Sequence, residues 1–402
     1  MEKKKILFIY TDWNASEARR KSGGYGGVSY YRVIKPAQAL QKLGWDVTIV
    51  GADLTEKYGT TPEQIWPSVF SEFDAVVVKQ MDNPAAASPM FFFAERYDVP
   101  IILDLDDDYF SVKPDQPAWE VYKPGSQKRA IFAATLSLVD AVFVSTQPLK
   151  ESYEDHLKAI FKMEKPIFVL PNCNQFDDWV QKSPQPPHGV VTIGYAGSIT
   201  HNADLKMVLP AIMYVMQKYP HVRFEILGAM YKHALDEMTA GYPKKLAKRI
   251  KLKPGTHSWQ GYPELLASQN WDIGICPLVD DKFNRGKSHI KWMEYTMAGL
   301  PVVASPTFPY SEPINGTPVI ENGVTGFFAR STADWIMLLS RLIEDWPLRQ
   351  QIAGNAKAAI QRNWQYNKHA SLWSDALNDV LCNFQTRRTK TGSSSSVKTT
   401  AG

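Results

Sequence analysis

The chain predicts two doubly wound α/β domains in tandem, each a parallel sheet covered by helices, facing one another across a cleft. Three observations carry this. Short apolar strands alternate with helix-length segments in both halves, which is the pattern of sheets buried on both faces. The 402 residues exceed one ordinary core. A proline cluster at 184–189, Pro-Gln-Pro-Pro-His-Gly, interrupts the alternation at mid-chain as a linker would.

In the first half the strands are expected at Ile6 to Tyr10, Val47 to Val50, Ala75 to Val78, Ile101 to Leu103, Ala141 to Val144 and Ile167 to Leu170. Helices fall between them, including Ser29 to Leu43 and Lys128 to Leu138. The second half resumes with Val190 to Tyr195, Val222 to Leu227, Ile250 to Leu252, Ile273 to Cys276 and Pro301 to Ala304. The expected organisation is therefore an N-terminal domain at 1–183, a linker at 184–189, a C-terminal domain at 190–363 and a closing helix at 364–384. The stretch 385–402 is polar, rich in Ser, Thr and Lys, and is expected to be disordered. Sheets of this class bind ligands at the carboxyl ends of their strands.

Net charge is +4, which permits anionic partners without demanding them. Three cysteines, Cys173, Cys276 and Cys382, lie far apart without metal-ligand spacing, against a disulfide framework or a zinc site. No apolar run reaches the length of a signal segment or a membrane span. A cytoplasmic protein is expected.

The segment Asn284 to Val303 is the most informative. Ser288 reads as an N-cap, and Gly299 with Pro301 as a stop, for a helix over about 289 to 298. The positive end of a helix favours acidic residues, yet Lys287, His289 and Lys291 stand there. Cations at that place are sensible if an anion such as a diphosphate occupies it. A P-loop is disfavoured, because Asp281 stands where its first glycine belongs. A dinucleotide fingerprint fails too: Gly24 to Ser29 lacks the last glycine and lies too far from the first strand.

Lys287, the Ser288 hydroxyl and the amides of 288–290 are the candidates for stabilising a departing diphosphate. Gly26 and Gly27 would let backbone approach phosphate from the first domain, as Gly197 and Ser198 would from the second. Glu294 lies about one and a half turns into the helix, where a carboxylate can accept hydrogen bonds from a ribose diol. Trp259 either stacks on a nucleobase or fills core. Asp104-Leu105-Asp106-Asp107-Asp108 follows a strand directly, and four crowded carboxylates favour a binding role. They can hold Mg²⁺, take a proton from an acceptor hydroxyl, or orient acceptor hydroxyls. Tyr31 and Arg32 open the first helix and are candidates for acceptor contact.

These motifs, in this order, resemble the retaining GT-B glycosyltransferases of the family-4 type. Gly26-Gly27-Val28 with Pro36, Ala39, Leu40, Gly44, Asp46, Val47 and Thr48 resembles the family's glycine loop, first helix and second strand. Gly194 to Ser198 is similar to its donor-phosphate loop, and Trp259 to Pro277 to its base-binding turn, short helix and strand. Residues 284–303 resemble its Glu-rich motif, and Glu321 to Phe327 its late turn.

The resemblance implies two Rossmann-like domains and transfer of a sugar from a UDP- or GDP-sugar to an acceptor hydroxyl, with no cofactor or catalytic metal required. It implies front-face attack with no protein nucleophile. It also implies a ribose contact at Glu294 and a base-binding turn at Trp259 and Tyr262. The Arg and Lys that commonly grip the diphosphate lack clear equivalents after Gly197. Lys287 and Lys291 are therefore expected to take over that charge role, with His289 beside them in donor binding and Lys287 and Glu294 in catalysis. Base duty or acceptor binding then falls to Asp106 or Asp107, with Asp108 beside them. The family motif carries two glutamates, and the first of these positions is Gly286 here. The form Gly-Gly-Val-Ser-Tyr-Tyr-Arg with the aspartate run is similar to enzymes often carried by bacteriophages, which would place the protein in a host cytoplasm. A glycan or lipid-linked glycan is the general acceptor expectation, and a hydroxymethylated DNA base the phage-linked one. An epimerase or a catalytically silent nucleotide-binding protein on the same scaffold is the alternative.

Overall fold

A computed structural model describes residues 3–10, 25–51, 53–81, 83–116, 118–180, 189–198, 201–228, 230–256 and 258–391. Of the expected linker, 184–188 lie outside the described residues, as does the tail from 392 onward.

Each half builds one six-stranded sheet, and every pairing within the two sheets is parallel. The first contains β1 (Lys5–Tyr10), β2 (Asp46–Gly51), β3 (Ala75–Lys79), β4 (Ile101–Leu105), β5 (Ala141–Val144) and β6 (Ile167–Val169), in the order β2-β1-β3-β4-β5-β6. The second contains β7 (Val191–Ala196), β8 (Val222–Leu227), β9 (Ile250–Lys253), β10 (Ile273–Cys276), β11 (Val302–Ala304) and β12 (Phe327–Phe328), in the order β12-β11-β10-β7-β8-β9. Strand order reverses beside β1 and beside β7. Such a reversal opens a crevice at the carboxyl ends of the strands.

Burial follows the apolar runs. Ile6 to Phe8, Val76 to Val78 and Val142 to Val144 are fully buried, as strands covered on both faces must be. In β7 the sheet also needs a glycine, because a Cβ on Gly194 would lie 1.9 Å from the Trp271 ring. Gly194→Ala is therefore expected to destabilise the chain by about 1–3 kcal/mol or more through overpacking. A denaturant midpoint equal to wild type would contradict that close fit.

The helix after the glycine loop is continuous but not uniform. Gly27–Ser29 and Lys35–Lys42 are α-helical, and Tyr30–Ile34 between them is a π turn, with the Lys35 amide donating to the Tyr30 carbonyl. Pro36 follows immediately and has no amide to donate, so the ladder is already broken where the turn widens. Single π turns of this kind often sit at functional sites.

The final helix runs Tyr366–Thr391, past the boundary expected at Gln385. It crosses back to the first domain. Trp373, Ala376, Leu377, Val380 and Leu381 join Ile6, Phe8, Val33 and Val47 in one core. A separate core, built from Tyr30, Tyr31, Trp179, Trp259, Trp292, Met293, Tyr295 and Trp364, joins the two domains.

Candidate active site at the junction of the two sheets

On the second domain the site begins with the helix Ile290–Met297, whose N-cap is His289 rather than Ser288. The Ser288 hydroxyl is engaged elsewhere: it accepts from Asn172 Nδ2 of the first domain at 2.9 Å. Lys291 projects to the end of β7, where its Nζ donates to the Ala196 carbonyl at 2.6 Å and lies 4.5 Å from the Tyr195 ring centre. A Cβ on Gly197 would come within 3.0 Å of that Nζ and of the Tyr195 hydroxyl, so glycine is what lets this loop pass. Ser198 follows, exposed. Burial lowers the Lys291 pKa, with Cys276 and Glu294 opposing.

Glu294 lies deeper along the same helix. It accepts from Tyr262 Oη at 2.9 Å and from Tyr31 Oη at 3.2 Å, one phenol from each domain. Burial raises its carboxyl to about 7, against the two phenol hydrogen bonds and Lys291.

Lys287 reaches across the junction. Its Nζ lies 2.6 Å from Asp107 Oδ1 and 4.4 Å from the centre of the Phe283 ring. Two clusters that look unrelated along the chain, the lysines of 287–291 and the aspartates after β4, are thus one site. Asp106 is held at about 6, raised by burial and by Asp107, with Lys79 and Lys287 pulling the other way.

Several expected ligand contacts are occupied by the protein itself. Arg32, placed on the acceptor side by the sequence, is fully buried and ion-paired with Asp104, with Nε 2.9 Å and Nη2 2.7 Å from its oxygens. Its Nη1 donates to the Leu170 carbonyl and to Asn172 Oδ1, so the guanidinium is spent inside the first domain. Asp108, the other acceptor candidate, accepts from the Phe110 amide and from the Ser111 and Ser152 hydroxyls. It shapes the turn after β4 instead of facing a ligand. Tyr31 is buried with its hydroxyl on Glu294, on the donor side of the junction.

Trp259 takes the core-filling option. It stacks on Tyr30 at 3.8 Å and 20°, meets Tyr31 and Trp179 edge-on, and is 6% exposed. His289 is fully buried against Trp364, 4.3 Å between ring centres, and burial pushes it down to about 3. A neutral, enclosed imidazole supplies no charge to a diphosphate. Gly26 is the N-cap of the first helix, and Gly27 lies near Trp259 with room for a Cβ at 3.9 Å. Steric need for glycine is thus met at Gly197 and not at Gly27.

Gly286, the position of the family's first glutamate, has its own explanation. A Cβ there would lie 2.9 Å from Leu149 Cδ2 of the first domain. Any side chain at 286 would require the Leu149 side chain to shift.

Other residues at the site escaped the sequence reading. Lys79, Thr146 and Asn172 end or follow β3, β5 and β6 and are all buried. His201, just before the helix Asn202–Lys218, pairs its Nδ1 with Asp204 Oδ2 at 2.7 Å, and burial lowers it to about 4. Among the described residues, no group of three or more His, Cys, Asp or Glu is placed to hold a metal ion. No helix among them is long and apolar enough to cross a membrane.

Residues 190–345, under half of the chain, match the family described as Glycosyl transferases group 1. No curated protein matches the chain. It is similar to the solved structure of HepE from Anabaena in complex with UDP-glucose, at 14% identity and TM-score 0.60, covering 93% of this chain and 99% of that one. It is similar to sucrose-phosphate synthase from Thermosynechococcus elongatus at 10% identity and TM-score 0.63, covering 95% and 100%. With TarM of S. aureus, solved with UDP, identity is 16% and TM-score 0.52, and the match covers 76% of this chain but spans only 55% of TarM. The two parallel sheets and these likenesses define the class by its architecture, the GT-B fold. The part of the chain that matches the group 1 model is its second domain.

Proposed function

We propose that the chain transfers a sugar, with retention, from a nucleoside diphosphate sugar to an acceptor hydroxyl. The observation that carries this reading is the meeting of Lys287 and Lys291 at the start of one helix, beside the Gly197 loop, with Glu294 deeper on the same helix. Two cations and free amides suit a diphosphate, and a carboxylate about one helical turn further in suits the ribose diol. Charge building on the leaving diphosphate is then stabilised by Lys287, and Tyr262 and Tyr31 hold Glu294 in place.

The donor is a UDP- or GDP-sugar, and UDP-glucose in HepE supports the first. The acceptor is a glycan or a lipid-linked glycan, approached from the first domain, where Asp106 and Asp107 orient its hydroxyl or receive its proton. A glycan acceptor is supported by TarM, solved with alpha-GlcNAc-glycerol and UDP. We place the protein in the cytoplasm, where nucleotide sugars are available to it.

The test is a panel of nucleotide sugars against glycan, lipid-linked and hydroxymethylated DNA acceptors, read by mass spectrometry. Transfer that survives in Glu294→Ala would remove the site. Nucleotide binding with neither transfer nor isomerisation across the panel would favour a silent binding protein.

The state of Glu294 adds a pH signature. Its carboxyl titrates near 7 in the folded chain, above the usual 4.5, and the ionised form is the better acceptor for a diol. Affinity for the nucleotide is expected to rise by up to about tenfold from pH 6 to pH 8, the increase in its ionised fraction. Stability moves the other way. A raised folded pKa contributes stability that is fully present below pH 4.5 and is lost as pH rises through about 7. Glu294→Gln should flatten both profiles, and titration calorimetry with thermal melts at matched pH reads them.

A further inference from the structure

Three consecutive residues of the donor loop are gripped by three strand ends of the other domain. Thr146, after β5, donates its hydroxyl to the Gly286 carbonyl at 2.9 Å. Asp107, after β4, pairs with Lys287 at 2.6 Å. Asn172, after β6, donates to the Ser288 hydroxyl at 2.9 Å, while its own carbonyl oxygen is held by Arg32. Leu149 closes over Gly286 from the same side.

The three contacts differ in kind. Thr146 and Asn172 are buried, each 1% exposed or less. The Lys287 and Asp107 side chains keep 20% and 31% of their surface in solvent. A partly solvated ion pair exchanges partners more readily than a buried one, whereas a buried hydroxyl or amide left without its partner is costly. The outer two contacts are therefore fixed points, and the middle one is open to exchange.

Resting on the donor site proposed above, we infer that Thr146 and Asn172 are positioning residues for the donor. They fix the backbone at 286 and the hydroxyl at 288, so that Lys287 between them can exchange Asp107 for the diphosphate without the loop moving. The first domain then contributes to donor affinity through contacts that never touch the donor. Donor binding depends on the seating of both domains, not on the group 1 domain alone.

The experiment uses the full chain with UDP and GDP as probes in titration calorimetry, alongside donor KM and kcat and a thermal melt. Thr146→Val keeps the shape and removes the hydroxyl, Thr146→Ser restores it, and Asn172→Leu removes the amide. Losing one such hydrogen bond is expected to raise the nucleotide Kd and the donor KM about five- to tenfold, with Thr146→Ser near wild type. A purely structural role would lower the melting temperature of Thr146→Val and leave Kd unchanged, which overturns the inference. So would Thr146→Ser behaving as Thr146→Val. Wild type binding neither nucleotide nor any nucleotide sugar would instead overturn the donor site itself.

Discussion

Lys287→Ala is expected to lower kcat/KM for sugar transfer by about 10²- to 10³-fold, the usual cost of removing one preorganised group that stabilises developing charge. The expectation follows from where the side chain ends. Its Nζ sits at the junction, 2.6 Å from Asp107, beside the helix that starts at Ile290. A diphosphate reaching that helix end meets Lys287 and Lys291 together, and Lys291 is already tied to the Ala196 carbonyl. Lys287 is the cation with freedom to follow charge onto the leaving group. Because its ion pair with Asp107 is partly solvated, the same variant should lose less than about 1 kcal/mol of stability. Steady-state kinetics with a denaturant melt separates the two effects. If turnover falls only in proportion to the folded fraction, Lys287 has no part in transfer.

The alternation of strands and helices was readable because a strand covered on both faces leaves few residue choices. Ile101 to Leu103 and Ala141 to Val144 could hardly have been anything else, and they form β4 and β5. The lysines at the positive end of a helix stood out because composition there conflicts with local electrostatics, and the structure brings Lys287 to Asp107 and Lys291 to the Ala196 carbonyl. What one chain segment cannot reveal is which residues another segment will satisfy. Arg32, His289 and Asp108 have the chemistry of ligand contacts, and the fold turns each inward. Arg32 is used by Asp104, Asp108 by Ser111 and Ser152, and His289 is packed on Trp364. Trp259 was equally suited to base or core, and stacking on Tyr30 across the junction decides it.

Thr146, Asn172 and Lys79 were missed for the opposite reason, since none belongs to a spaced motif. Yet each is a polar residue at or just beyond the carboxyl end of an apolar strand. That rule singled out Asp104 to Asp108, and applied to every strand it would have found all three.

The largest expected effect on stability lies at Arg32. Its guanidinium and the Asp104 carboxylate are both completely enclosed, at 0% exposure, in a two-bonded pair. Removing one partner of such a pair leaves a buried charge with nothing opposite it, at a cost of about 3–5 kcal/mol. That is a large part of the total stability of an ordinary domain, about 5–15 kcal/mol. Arg32→Met should therefore shift the urea midpoint strongly. Asp104 will take part of the strain by protonating, because burial already raises its pKa against the pull of Arg32.

The double variant Arg32→Met with Asp104→Leu is expected to recover much of the loss, since apolar groups of similar volume often replace a buried pair without penalty. Function should not recover with it. Arg32 also holds the Asn172 carbonyl oxygen, and Asn172 holds Ser288, so the stable double variant should still bind nucleotide more weakly than wild type. Equal affinity in the two proteins would mean that the chain from Asp104 through Arg32 and Asn172 to Ser288 ends short of the donor loop. Weaker binding in a protein of restored stability would mean that a buried ion pair of the first domain serves to set a hydroxyl of the second.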